Sequence, residues 1–464
     1  MAGAAPERPL RVAFATLGCR LNQFDTEAMK EAVGGAGGDA RLAGWDVVPW
    51  ASEADVYVIN SCTVTARADQ KCRQLARAIR RRRPAARVVV TGCYAQTQPA
   101  RVAAIEGVDA VVGNPDKDDP GAWLTALPAA APPLVRVTPF GARAPLADAP
   151  LERFAGHSRA FVKIQDGCDL RCAYCVIWRA RGPARSRPPA QVLAQARSLH
   201  AAGFHELVLT GVNLGSYGRD LGAQATLAGL VAELLARLPD LRLRLSSLHP
   251  DELTPALLAE FVRHGPRLRP HLHLSLQSGS DAVLRRMRRP YTTDAARAAV
   301  AAYAAAVPAA GLGADIIVGY PGETAADFAA TRALLTELPF TYLHVFRFSP
   351  RPGTPAAALD EPVPAAVAGE RAAALRRLSR RQRAAFESSL AGSWREAVVE
   401  DGAAPAGWRT ATTDNYATVL VPDRVRAGAL VRVRLARLGA GALRADAVEP
   451  LSPSAAGPDP APER

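Results

Sequence analysis

A short apolar segment and three closely spaced cysteines are encoded together in residues 161–175, which read FVKIQDGCDLRCAYC. The apolar run at 161–164 is typical of a buried parallel strand. The cysteines that follow are Cys168, Cys172 and Cys175, in the spacing C-x3-C-x2-C. The stretch therefore predicts a loop that carries three thiolates and comes directly after a strand.

Three thiolates on one loop can hold three corners of an iron–sulfur cluster and leave one iron open. C-x2-C is also a common half of a zinc site, but a structural zinc usually takes four ligands. No other Cys or His lies within a few residues of this loop. S-adenosylmethionine can fill an open iron through its amino and carboxylate groups, and an electron from the cluster then cleaves its sulfonium. We predict a cluster at this loop, with zinc as the alternative.

The same alternation of strands and helical segments continues beyond the loop. Strands are predicted at 161–164, 206–210, 242–246, 271–275, 314–318 and 342–346, with helices such as 189–202 and 293–310 between them. Six β/α units make an incomplete (β/α)6 barrel. The active site of such a barrel lies where the carboxyl ends of its strands open.

A smaller α/β pattern precedes the barrel. Apolar runs at 12–16, 55–60, 87–91 and 110–113 predict buried parallel strands of a doubly wound α/β domain.

Cys19, Cys62 and Cys93 each come just beyond one of the first three of these strands. Since the carboxyl ends of parallel strands line one crevice, we expect the three cysteines to converge as a second three-thiolate site. The alternative is that they are ordinary small buried residues. Cys72 falls within a helical pattern, and we interpret it as structural.

These patterns define an α/β chain with five segments. They are an N-terminal domain over 10–127, a Pro/Ala-rich linker over 128–150, the barrel over 154–390, a small C-terminal β-barrel of OB-like size over 391–450, and a disordered tail over 451–464.

Composition constrains the partners. The net charge of the 464 residues is +13, which favours a polyanion such as nucleic acid. The bias toward Arg, Ala, Gly and Pro with little Lys is also what GC-rich coding produces.

No window of about twenty uncharged apolar residues is present, so we expect no membrane span. The first residues lack the apolar core of a secretory signal, so we expect a cytoplasmic protein.

Seven short motifs carry a resemblance to a known family. They are TLGCRLNQ (16–23), NSCTVT (60–65), TGCYAQ (91–96), KIQDGC (163–168), LTGVNLG (209–215), HLSLQSGS (273–280) and DIIVGYPGE (315–323). With these in order, the chain from 10 to about 449 resembles the methylthiotransferase branch of the radical S-adenosylmethionine enzymes.

Within this branch the chain is most similar to the enzymes that act on N6-threonylcarbamoyladenosine in tRNA. The isopentenyladenosine enzymes typically have Gln-Asn where this chain has Val212-Asn213. Action on that adenosine or on a ribosomal protein is the nearest alternative. A non-catalytic, zinc-stabilised RNA-binding protein is the alternative of a different class.

The resemblance implies an N-terminal methylthiotransferase domain, a radical barrel and a C-terminal TRAM domain. It implies two [4Fe–4S] clusters, an auxiliary one on Cys19, Cys62 and Cys93 and a radical one on the cysteines of the C-x3-C-x2-C loop. In the mechanism that the resemblance implies, one S-adenosylmethionine methylates sulfur on the auxiliary cluster. In that mechanism a second one is cleaved to a 5′-deoxyadenosyl radical, which removes hydrogen from C2 of adenine 37, and a methylthio group takes its place.

The resemblance also implies the residues around S-adenosylmethionine, which are Tyr174, Gly211, Asn213, Gln277 and Val318. The arginines that we expect to face the tRNA anticodon loop are Arg181, Arg185, Arg187 and Arg288, because they follow the cysteine loop or the fourth barrel strand and would flank the barrel mouth. A solvated charged face is the alternative. In the C-terminal barrel, Tyr416 either stacks on bases or fills core. A flavodoxin or ferredoxin is the implied electron donor.

Three further polar residues are His249, Asp315 and Arg347. His249 stands where the closest branch often has glutamate. Asp315 and Arg347 are polar at barrel positions, and a buried ion pair between them is the simple interpretation.

Overall fold

The structure is a computed structural model that describes residues 8–34, 42, 44–128, 132–141, 146, 151–154, 156–222, 224–438 and 442–451. The chain forms two compact units. The first is drawn from Met1–Arg153, Gln165–Arg187 and Ser349–Ala357, and the second from Phe154–Ile164, Pro188–Phe348 and Ala358–Arg464. Among the described helices, none has the length and apolar character needed to cross a membrane. The predicted disordered tail lies outside the described residues from 452 onward.

A six-stranded parallel sheet forms the centre of the first unit, in the order β2-β1-β3-β4-β5-β6. Its strands are β1 (Leu10–Thr16), β2 (Trp45–Val48), β3 (Val56–Ser61), β4 (Arg87–Gly92), β5 (Ala110–Val112) and β6 (Leu134–Arg136). The expected doubly wound domain is confirmed. Strand β6 lies inside the stretch that we interpreted as a linker.

Helices and a short strand pair complete the first unit. The helices are α1 (Arg20–Gly34), α2 (Ala66–Arg82), α3 (Cys93–Thr97), α4 (Pro99–Ala103), α5 (Pro120–Leu124) and α6 (Ile177–Arg181). The antiparallel pair is β8 (Gln165–Asp166) with β9 (Arg185–Ser186). Thr65 caps α2 by accepting from the backbone N–H of Ala68. Cys72, on α2, is fully buried in the apolar cluster under the sheet.

The barrel strands of the second unit are all parallel. They are β7 (Ala160–Lys163), β10 (Glu206–Thr210), β11 (Arg242–Leu245), β12 (Ser247–Leu248), β13 (His271–Gln277), β14 (Gly311–Val318) and β15 (Tyr342–Arg347). Two sheets, β11-β10-β7 and β12-β13-β14-β15, share one interrupted strand that breaks at Ser246 between β11 and β12. This gives six strand positions and confirms the expected incomplete (β/α)6 barrel.

Threonine caps begin most of the helices around this barrel. The helices are α7 (Pro189–Ala201), α8 (Leu227–Arg237), α9 (Pro255–His264), α10 (Asp281–Arg286), α11 (Thr293–Ala306), α12 (Ala325–Glu337) and α13 (Ala365–Ser389). Short 3-10 helices of this unit lie at Leu214–Ser216, Pro250–Glu252 and Gly265–Arg267, and a fourth, Pro355–Ala358, begins in the Ser349–Ala357 segment of the first unit. Thr226, Thr254, Thr292 and Thr324 each accept from the third backbone N–H of their helix. These caps satisfy donors that a helix start leaves open.

The C-terminal segment closes into a five-stranded barrel in the order β16-β17-β18-β20-β19. Its strands are β16 (Trp394–Val399), β17 (Trp408–Thr413), β18 (Thr418–Pro422), β19 (Leu430–Leu438) and β20 (Ala442–Pro450). Alternate residues such as Val419, Val421, Val431 and Val433 fill its interior. The expected small β-barrel is confirmed.

A buried ion network joins this small barrel to the larger one within the second unit. Glu206 lies between Arg244 and Arg269. One of its carboxylate oxygens is 2.7 Å from the Arg244 guanidinium, and the other is 2.7 Å from that of Arg269. Arg269 also reaches Glu396 of β16 at 2.7 Å. Tyr416 stacks on His271 with ring centroids 4.2 Å apart, so its ring contributes to the packing between the two barrels.

Candidate functional site

The C-x3-C-x2-C loop belongs to the first unit. Its ends are tied by backbone hydrogen bonds from Cys168 to the carbonyl of Gly182 and from Cys175 to that of Cys172, both 3.0 Å long. The Cys175 sulfur accepts from the N–H of Ile177 at 3.4 Å. Cys172 is buried, and the other two cysteines are half-buried. The loop thus holds its three thiols in a short, hydrogen-bonded turn.

A glycine makes the entry to this loop possible. Gly167 has a φ of +75°, and a Cβ there would lie 2.0 Å from the carbonyl oxygen of Pro183. Only glycine fits both the backbone conformation and the close approach. The turn that starts the cysteine loop therefore depends on this residue.

Cys19, Cys62 and Cys93 lie at one edge of the six-stranded sheet. They come just after β1, β3 and β4, which are neighbours in that sheet. Burial raises the pKa of the Cys62 thiol to about 12, and negative charge at Cys93 and at Cys19 adds to the rise. The three cysteines thus follow neighbouring strands, as expected, and the charges of Cys93 and Cys19 both act on the Cys62 thiol.

The surroundings of Cys19 differ from those of the other two. Cys62 and Cys93 are buried, whereas Cys19 keeps exposed surface. The protein around Cys19 still desolvates its thiolate and raises its pKa, while the charge of Arg181 opposes that rise. Gly18, with a φ of +102°, lets the segment before Cys19 approach Cys62 closely, since a Cβ at Gly18 would lie 2.5 Å from that of Cys62. Cys19 thus keeps exposed surface as a residue, although its thiol is desolvated.

Arg181 links the cysteine loop to the sheet edge. Its guanidinium donates to Asp166 at 2.9 Å, to Asp25 at 2.9 Å and to Asn22 at 2.6 Å. Nearby negative charges, at Asp166 above all, raise its pKa further although burial acts against them. Arg181 is 2% exposed. The expectation that it faces tRNA phosphate is therefore replaced by a structural role.

Two further polar residues that the motifs did not single out complete this network. Lys117 donates to Asp25 at 2.5 Å and to Asn114 at 2.7 Å. Asn114 lies 3.8 Å from the sulfur of Cys93 through its side-chain nitrogen and donates to the carbonyl of Ala180 at 2.6 Å. Both follow β5, the strand beside β4, and this position is the signal that identifies them.

The other arginines expected at the nucleic acid have different environments. Arg187 is fully buried with its guanidinium over Phe24, so it too has a structural position. Arg185 is half-buried over the ring of Phe140 at 5.5 Å. Arg288 is exposed at the end of α10, with a φ of +57°. Arg288 and Arg185 remain as candidate phosphate contacts.

Four of the residues expected at S-adenosylmethionine lie at strand ends of the second unit. Gly211 and Asn213 follow β10, Gln277 ends β13, and Val318 ends β14. Gln277 has a φ of +67°, a conformation that non-glycine residues rarely adopt and that is common at functional sites. Tyr174 lies in the cysteine loop of the first unit. Asp315, expected to pair with Arg347, instead accepts from His273 and His344.

The donor set of the cysteine loop fits an iron–sulfur cluster. Thiolates are the ordinary protein ligands of [4Fe–4S] clusters. The loop supplies three thiolates, those of Cys168, Cys172 and Cys175. The one cysteine that belongs to neither group, Cys72 on α2, is buried in the apolar core. Cys19, Cys62 and Cys93 supply a second set of the same kind.

Comparisons with known proteins agree with this architecture. Residues 11–113 match the model of "Uncharacterized protein family UPF0004", and residues 162–335 match that of the radical SAM superfamily. Membership in that superfamily implies S-adenosylmethionine and a [4Fe–4S] cluster. Among solved structures, the radical S-adenosylmethionine methyltransferase TsrM from Kitasatospora setae has a TM-score of 0.55 at 17% identity, covering 75% of this chain and 77% of its own. That similarity shows the fold.

Curated relatives extend the match over most of the chain. The threonylcarbamoyladenosine tRNA methylthiotransferase MtaB of Bacillus subtilis is 36% identical over 92% of this chain and 94% of its own length. A tRNA-2-methylthio-N(6)-dimethylallyladenosine synthase of Sorangium cellulosum is 39% identical over 84% of this chain and 82% of its own. Four more bacterial MtaB proteins are 33–36% identical. The chain belongs to the MtaB family of radical S-adenosylmethionine methylthiotransferases, as its seven sequence motifs predict.

Proposed function

We propose that this protein transfers a methylthio group to C2 of N6-threonylcarbamoyladenosine at position 37 of tRNA. The observation that carries the proposal is the presence of two three-cysteine groups in one compact unit, in a chain whose MtaB relatives match over nine-tenths of its length. A C–H bond on an aromatic carbon offers no acid–base route to substitution. Two separate sulfur-ligated sites suit a reaction that needs both hydrogen removal and sulfur delivery.

The two cysteine groups have different proposed roles. Cys168, Cys172 and Cys175 would hold the cluster that works with S-adenosylmethionine, and this pair supplies one-electron chemistry able to activate a C–H bond. Cys19, Cys62 and Cys93 would hold an auxiliary [4Fe–4S] cluster as the sulfur site. The strand-end placement of all three, and their electrostatic proximity, support this second assignment.

The proposed S-adenosylmethionine contacts are Tyr174, Gly211, Asn213, Gln277 and Val318. In open α/β folds ligands bind beyond the carboxyl ends of strands, where four of these residues lie. The left-handed backbone of Gln277 supports a functional position, since such strain persists where a site requires it. Gly211 lets backbone approach a ligand closely.

The proposed partners are the anticodon loop of tRNA and a small electron-transfer protein such as flavodoxin or ferredoxin. The net charge of +13 supports a polyanionic substrate. Arg288, which is exposed, and Arg185, which is half-buried, are the proposed phosphate contacts. Phosphate contacts position a nucleic acid without reading its sequence.

Nucleoside mass spectrometry of tRNA tests the proposal. The gene is expressed in a host that lacks its own methylthiotransferases, and tRNA is compared with and without it. We expect 2-methylthio-N6-threonylcarbamoyladenosine to appear. If only the isopentenyl product appears, the methylthiotransferase chemistry is right, but the substrate is that of the Sorangium relative. If neither appears although iron and sulfide are bound, the proposed tRNA substrate is wrong.

A further inference from the structure

Three side chains able to bind a metal converge inside the barrel of the second unit, apart from every cysteine. They are His273, Asp315 and His344, and their ligand atoms all lie within 4.8 Å of one another. Within the ranges that the structure describes, no other group of three His, Cys, Asp or Glu residues has all its ligand atoms this close together. We propose that these three residues bind a divalent transition-metal ion as a two-histidine, one-carboxylate site.

The strand register places the three side chains on one face. Asp315 of β14 and His344 of β15 are register partners on parallel strands, so they point to the same side of the sheet. His273 of β13 is paired with Gly313, two residues before Asp315. Because side chains alternate along a strand, Gly313 and Asp315 share a face, and His273 shares it with them. The convergence therefore follows from the backbone and not from one rotamer.

The separations fit a small ion. The Nε2 atom of His273 lies 3.0 Å from Oδ1 of Asp315, and Nδ1 of His344 lies 3.3 Å from the same oxygen. Metal–ligand bonds of about 2.0–2.1 Å in tetrahedral geometry put ligand atoms roughly 3.3 Å apart. The two imidazole rings lie side by side, with centroids 4.8 Å apart. An ion can therefore enter among the three with small side-chain shifts.

A neighbouring hydroxyl fixes the orientation of His273. The Tyr342 oxygen lies 3.0 Å from Nδ1 of His273 and 2.8 Å from Nε2 of His271. When Nε2 of His273 binds a metal, Nδ1 carries the proton and Tyr342 accepts it, as partners of metal-bound histidines commonly do. Gly313 makes room for the Tyr342 ring, because a Cβ at Gly313 would lie 2.1 Å from Cζ of Tyr342. The hydrogen bond between His273 and Tyr342 is therefore of the kind that orients histidine ligands in metal sites.

Charge and access indicate what the ion would bind next. Two neutral imidazoles and one carboxylate leave a divalent ion with a net charge of +1. Three protein ligands leave a fourth position open. The side chain of His344 is 53% exposed, whereas those of His273 and Asp315 are 8% and 24% exposed, so the group opens on the side of His344. The open position suits an anionic oxygen ligand such as a carboxylate.

Zinc binding to the holoprotein tests the site. Protein loaded with iron and sulfide, so that the six proposed cluster cysteines are occupied, is freed of other metals and then exposed to Zn²⁺ alone. We expect one equivalent of zinc to bind. Its X-ray absorption should show a shell of nitrogen and oxygen at about 2.0 Å.

Variants assign the ion to these residues. His344→Ala should lose that equivalent, and Asp315→Asn, which keeps the side-chain shape, should weaken zinc binding at least tenfold. His200→Ala, on α7, is the control and should bind like the wild type. A sulfur shell at about 2.3 Å, or unchanged binding in both site variants, would overturn the proposal. The test measures no methylthiolation, so its result is independent of the proposed function.

Discussion

The guanidinium of Arg181 donates to the carboxylate of Asp25 across 2.9 Å, and this contact ties the helix after the cysteine loop to the helix that begins after Cys19. The two side chains are 2% and 1% exposed. A charged pair so deeply buried is costly unless each charge is fully compensated. Asp166 and Lys117 provide that compensation. The segments that carry the two cysteine groups are thereby held by one electrostatic network.

Removal of Arg181 should strongly destabilise the first unit. Arg181→Met leaves Asp25 and Asp166 without their shared cation, and breaking a buried pair in this way costs about 3–5 kcal/mol. Denaturant unfolding measures the change. Arg288→Met removes an exposed arginine and should change stability by less than about 0.5 kcal/mol. Equal stability of the two variants would show that Arg181 does not stabilise this network.

A second buried carboxylate should be equally sensitive in the other unit. Burial alone would raise the pKa of Glu206, but the guanidinium groups of Arg244, Arg269 and Arg159 hold it well below its usual range. Glu206→Gln leaves these cations without a full counter-charge and should cost about 3–5 kcal/mol.

An ion pair on the surface provides the control for the stability change of Glu206→Gln. Glu337 contacts Arg297 at 3.0 Å with both side chains about half exposed. Glu337→Gln should cost less than about 1 kcal/mol. A loss as small for Glu206→Gln would mean that water reaches the interior pair.

Most of the fold was predictable because apolar runs report buried strands directly. The four predicted strands of the first unit and the six of the barrel are all present. The two strands of the six-stranded sheet that were missed, β2 and β6, are edge strands of three or four residues with little burial. Edge strands need less apolar sequence, so periodicity gives them little signal. Strand β6 was also hidden by the prolines around it.

The cysteines were predictable, whereas the polar residues around them were not. Cys19, Cys62 and Cys93 could be placed because topology alone brings the ends of parallel strands together. Arg181 was assigned to tRNA because a run of arginines indicates a charged surface in most proteins. Its burial depends on Asp25, which is 156 residues away in sequence. No local pattern reports a partner at that distance.

The stability of the second unit should fall in mild acid because of His249. Burial lowers the pKa of His249 to about 3, and the positive charges of Arg289 and Arg219 add to the effect. In the unfolded chain the value is about 6.5. Between these values the unfolded state binds a proton that the folded state does not, so stability falls as pH falls from about 6.5 toward 3.

The expected size follows from that difference. From pH 6.5 to 5.5, the wild type should lose about 1 kcal/mol more than His249→Gln, which has no titrating ring. Above about pH 7.5 the two proteins should show the same slope of stability against pH. Unfolding curves at three pH values measure this. Parallel losses in both proteins would mean that His249 is protonated in the folded state.

Phosphate contacts should show in the salt dependence of tRNA binding. Arg288→Ala removes one candidate contact and should weaken binding for all tRNA sequences, with the slope of log affinity against log salt reduced by about 1. Arg297→Ala removes a partly exposed arginine that is paired with Glu337, and it is the control for charge alone. If the two variants lower the slope equally, Arg288 makes no specific contact.

Iron content should separate the cysteine of the proposed auxiliary site from the one in the core. Cys62→Ala removes one of three thiolates from the auxiliary group and should lower bound iron and sulfide by about half. Reductive release of 5′-deoxyadenosine should persist, because the other cysteine loop is unchanged, while methylthiolated product should disappear. Cys72→Ala makes the same substitution on α2, and we expect full iron content and full product from it. Methylthiolation retained in Cys62→Ala would exclude the sheet-edge cysteines as the sulfur site.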